Sequence, residues 1–125
     1  MLSARQRALG AIKVGDIIYG LSGGGNGKLL LVYQADETSF RARHVTSQSW
    51  AEFGRDGKSR PIPTGGTCTI VSTAALPPEE YDVAIGLDHK MRTAKEYPDA
   101  VLTKAEIQLI LHHDEFFMAH LLPDE

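Results

Sequence analysis

Cysteine is nearly absent: Cys68 is the only one in 125 residues. A lone thiol excludes an internal disulfide and a cysteine-based metal cluster. It also fits a reducing, cytoplasmic setting. Long apolar runs are missing as well, since no stretch approaches the roughly 20 residues that span a bilayer as helix. The opening MLSARQRALGAIK carries Arg5, Arg7 and Lys13 and lacks the apolar stretch of about 7–15 residues that a secretory signal needs. The expectation is a cytoplasmic chain with no membrane partner. Repeats, low-complexity tracts and polar linkers are missing too, so residues 1–125 are expected to form a single domain. No G-x-S-x-G and no carboxylate pair in an apolar context is present. These absences lead us to expect a protein that is not an enzyme and has no cofactor.

What is present divides the chain in two. Residues 1–60 hold nine Lys/Arg against five Asp/Glu, and residues 61–125 hold four against eleven. A basic front and an acidic back either attract each other or serve a charged partner. The periodicity changes along the same axis. Residues 14–73 read as short strands: VGDIIYG, KLLLVYQA, FRARHVT, SWAEF and TCTIVST, separated by turns such as DETS and GRDGKS. In FRARHVT, Phe40, Ala42 and His44 share one face, and Arg41 and Arg43 the other. Residues 77–122 read as helical. Pro77-Pro78 followed by Glu79-Glu80 suits a helix start, with Val83, Leu87, Met91 and Ala94 on one stripe and Pro98 past its end. Thr103 and Glu106 have capping-box spacing for a second helix, whose buried face is expected at Ile107, Ile110 and Leu111. Ser3 and Gly10 bound a short N-terminal helix. The predicted fold class is α+β: a small, SH3-like bent sheet or barrel of about five strands, followed by two or three packed helices.

The stretch GDIIYGLSGGGNGKLLLVY raises the question of a phosphate cradle. A P-loop needs a glycine at position 22, where Ser22 stands, and Ser or Thr after Lys28, where Leu29 stands. It also needs a helix after the loop, and LLLVY reads as a strand. The dinucleotide pattern fails at its third glycine, because position 28 is Lys. The loop therefore reads as a bend between strands, using residues that accept a tight twist. With Gly15-Asp16, Ser22-Gly23 and Gly27-Lys28, residues 14–36 resemble the opening of KOW-type SH3-like small barrels. That resemblance implies binding to RNA or to a protein, without catalysis.

Three binding readings follow. The segment from Arg41 to Arg60 interleaves Arg41, Arg43, Arg55, Lys58 and Arg60 with Trp50 and Phe53. Such a pattern either tracks a phosphate backbone and stacks bases, or forms a solvated edge over a core. Together with Ser22, Asn26 and Lys28 of the glycine loop, Arg41, Arg43, Trp50, Arg55, Lys58 and Arg60 make up the expected binding surface. A protein partner or self-association, at the sheet edge or near Phe116 and Phe117, is the favoured reading. Nucleic acid is the alternative, opposed by the acidic second half. The third is a small metal-dependent hydrolase using His112, His113, Asp114, Glu115 and His120. No metal site is expected, because His112 and His113 would point about 100° apart on one helix. Histidines near a helix C-terminus also interact favourably with its dipole.

Overall fold

The computed structural model describes residues 2–60, 67–94 and 101–124. It has an α+β architecture: a curled five-stranded antiparallel sheet with three helices. The helix α1 (Ala4–Gly10) comes first. The strands β1 (Ile17–Ser22), β2 (Gly27–Ala35), β3 (Ser39–His44), β4 (Trp50–Gly54) and β5 (Cys68–Ser72) follow, and then α2 (Pro78–Thr93) and α3 (Lys104–Met118). The spatial order is β4-β3-β2-β1-β5, so the first four strands form a meander and β5 returns beside β1. Irregular register at Tyr19/Gly20 and between Val32 and Gln34 marks where the sheet bends.

The two edges of the sheet nearly meet. Gly57 to Arg60 bridges them: the Gly54 amide donates to the Lys58 carbonyl and the Arg60 amide to the Glu52 carbonyl on the β4 side. On the β5 side the Ser59 amide donates to the Cys68 carbonyl and the Ile70 amide to the Gly57 carbonyl. Edge groups that would otherwise invite pairing are used up here within the chain.

The inner face of the sheet is buried along its whole width, and the outer face is buried over β1 and β2. Ile18, Leu30, Val32, Phe40, Ala42, Phe53 and Ile70 fill the inner face, closed over by Leu9 and Ile12 of the N-terminal segment and by Leu122 beyond α3. Ile17, Tyr19, Leu29 and Leu31 point outward and pack under Ala84, Leu87, Leu109 and Phe117 of the helices. The unbroken run LLLV of β2 serves both layers, as expected for a strand covered on both sides.

The helix ends follow from local chemistry. Ser3 accepts from the Gln6 amide while the Gln6 side chain accepts from the Ser3 amide, and Thr103 and Glu106 repeat the arrangement on α3. The α2 helix starts at Pro78 and keeps Leu87 and Ala84 in the core. Pro98 lies outside the described residues. One expectation fails on α3. Its buried residues are Glu106, Leu109 and Phe117, whereas Ile107 and Leu111 stay 43% and 61% exposed. The helix is rotated because Glu106 turns inward to Lys90 of α2 and Phe117 stacks flat on Tyr19 of β1.

Candidate functional site

Of the nine residues expected to form a binding surface, the structure gathers four on one outer face. Arg43 and Trp50 are direct cross-strand partners, as are Arg41 and Glu52. The Arg41 guanidinium lies over the Trp50 ring, 5.3 Å from its centroid, and Arg43 lies 5.2 Å from the centroid of Tyr33. Arg60 reaches the same place through Glu52, with a 2.8 Å ion pair. Phe53 belongs to the inner core, but Trp50 is 54% exposed. Its solvent-facing position comes from the strand's two-residue alternation, which sends Phe53 inward and Trp50 and Glu52 outward.

The charges of this face are neutralised close by. Arg43 makes a two-pronged ion pair with Asp88 of α2, both contacts at 2.9 Å, and Gln48 donates to the same carboxylate at 3.0 Å. Asp88 is only 3% exposed. Burial pushes its carboxyl up, and the bonds from Arg43 and Gln48 overcome that push and hold it below its ordinary value. The same bond raises Arg43. Glu52 lies between Arg41 and Arg60. The Arg41 Nε is buried and has no hydrogen-bond partner among the described residues. The face therefore carries cations and aromatics with their charge largely matched from within.

The other five residues lie elsewhere. Arg55 is a structural clamp: it donates to the carbonyls of Leu9, Ile12 and Asp36, tying the N-terminal segment to the barrel. Lys58 is exposed in the segment that bridges the edges. Ser22 and Asn26 close the glycine loop on itself, through Ser22 amide to Asn26 carbonyl at 2.9 Å and Asn26 amide to Ser22 Oγ at 3.2 Å. Lys28 is half-buried near His44. Burial drives His44 down to about 4, with the charges of Lys28 and His113 adding to it. Cys68 is buried beside Gly20, and burial raises its thiol.

The helical half presents a groove of about 440 Å³ between α2 and α3, lined by Pro77, Val83, Leu109, His112, His113 and Phe116. Phe117, expected at a docking surface, lies at the bottom of the outer core with no exposure, because Tyr19 offers it a flat stacking partner at 5.2 Å. His113 and His120 donate from Nδ1 to the carbonyls of Leu109 and Phe116. Among the described residues, no group of three or more His, Cys, Asp or Glu side chains is placed to hold a metal ion. No helix there is long and apolar enough to cross a membrane. The Arg43–Asp88 pair was beyond sequence reasoning: the two residues are 45 positions apart and no local pattern links them.

Comparison with protein families, with curated proteins and with solved structures finds no match for this chain.

Proposed function

We propose that this chain is a non-catalytic binding module that docks a protein segment on the outer face of β2, β3 and β4, around Trp50. The observation that supports this is the half-exposed Trp50 held under Arg41 on a rigid strand, with Tyr33 and Arg43 beside it. Trp, Tyr and Arg are the residues that dominate binding energy at protein interfaces. Charge matching by Glu52 and Asp88 favours a protein over a polyanion, because it leaves little net positive charge on this face to attract a phosphate backbone. The partner lies against the face rather than extending the sheet, since Gly57 to Arg60 already bonds both edges.

The test is selection of peptides from a displayed library against the immobilised full chain, with Trp50→Ala as counter-selection. Ligands that bind the wild type, lose binding on Trp50→Ala and change little between low and moderate salt support the reading. A saturable quenching of Trp50 by single-stranded RNA or DNA that weakens steeply with salt would instead make this a nucleic-acid surface. Trp50→Ala itself should leave stability within about 0.5 kcal/mol in a denaturant titration, as expected of an exposed position.

A further inference from the structure

The exposed side of α3 has apolar residues where a lone helix needs none and charges at the wrong ends. Ile107 and Leu111, one turn apart, are both exposed, and Met118 continues the stripe. Lys104 is in the first turn, where the helix dipole disfavours a cation. Asp114 and Glu115 lie in the second half, exposed, with no Lys or Arg in the last turn. Each of these is mildly unfavourable for one copy. All are relieved by an identical helix running the other way.

We propose that α3 is a self-pairing helix and that its occupant is a second copy of this chain, docked antiparallel about a two-fold axis between residues 107 and 111. In that register Ile107 faces Leu111 of the second copy, and Leu111 faces Ile107. Lys104 of each chain then meets Asp114 and Glu115 of the other, and the two helix dipoles oppose each other favourably. A parallel pair would set Lys104 against Lys104 and acid against acid, so the charges select the antiparallel arrangement. One helix face is smaller than the roughly 800 Å² per partner of a standard interface, so the pair forms and dissociates with concentration. The surface is on a different element from Trp50, and Trp50→Ala should pair like the wild type, so this inference and the docking of a protein segment fail independently.

Sedimentation equilibrium of the full chain, from about 1 µM to about 1 mM, is the test. The wild type should pass from the mass of one chain toward two. Lys104→Glu should remain a single chain at the concentrations where the wild type pairs, and so should the double variant Asp114→Lys/Glu115→Lys. Mixed in equal amounts, these two should pair with each other, because every contact regains opposite charges. Lys104→Glu should melt no lower than the dilute wild type, since an acid suits a first turn, which separates loss of the interface from loss of the fold. Leu111→Lys, at an exposed position, should give the same loss by removing the apolar centre. A wild type that stays a single chain at the highest concentration overturns the proposal and leaves this face to a different protein. Pairing that survives Lys104→Glu and Leu111→Lys, or charge variants that do not pair when mixed, overturns it equally.

Discussion

Asp88 shows how much can rest on one side chain. It is a carboxylate inside the protein, held there by Arg43 and Gln48. Removing it leaves Arg43 with a charge and no partner in a largely buried place, so Asp88→Ala should cost about 3 kcal/mol in a urea titration. Replacing both residues with apolar ones of similar volume should cost much less, because no charge is then stranded. His44 makes a second residue-scale case. Its folded value near 4 lies below the ordinary value of 6.5. Above pH 6.5 both folded and unfolded forms are neutral, and its contribution to stability is complete. As the pH falls from 6.5 toward 4 the unfolded chain takes a proton that the folded one refuses, and stability drops. Urea midpoints measured across that window should decline for the wild type and flatten for His44→Gln.

At the scale of elements, the β1–β2 hairpin shows why its glycines differ. Gly25 has φ +84°, a left-handed conformation that favours glycine. Gly27 is constrained by a neighbour: a Cβ there would sit 1.8 Å from the Tyr19 hydroxyl, and Tyr19 is fixed by its stack on Phe117. Gly27→Ala should therefore destabilise by about 1–3 kcal/mol, as overpacking does, and a parallel Tyr19→Phe background should recover part of that loss. The capping box at Thr103 was legible because it involves three residues of separation and two hydrogen bonds, and Ser3 was legible as a cap though its reciprocal bond with Gln6 was not. The strand sequence was legible from alternation and turn residues. The rotation of α3 was not, because Ile107, Ile110 and Leu111 offer an equally apolar face and only the sheet decides between them. Tyr19 and Lys90 turn Phe117 and Glu106 inward, and those residues are far away in sequence. The grouping of the candidate residues on one face was half legible for the same reason. Arg41, Arg43 and Trp50 sit on neighbouring strands of one hairpin, whereas the clamp role of Arg55 depends on Leu9 and Ile12, more than forty positions earlier.

For the molecule as a whole, the decisive feature is the way the barrel is sealed. Leu122 packs into the inner core, the Leu122 amide donates to the Val71 carbonyl at 2.8 Å, and the Ser72 hydroxyl donates to the His120 carbonyl at 2.7 Å. Leu122→Ala should thus cost about 2–3 kcal/mol, comparable with the loss of a core leucine elsewhere, although the residue lies beyond the last helix. Thermal unfolding should show one transition in the variant as in the wild type, because β1 and β2 contribute core residues to both layers.

The position of that seal also sets an order of events during synthesis. The ribosome delivers α1 and all five strands well before residue 122, yet the inner layer they enclose lacks its last wall until that leucine arrives. A sheet that forms during synthesis is therefore expected to keep its inner layer uncovered on the Leu122 side while some fifty further residues are added after β5. Only then does the end of the described chain turn back and cork what was made first.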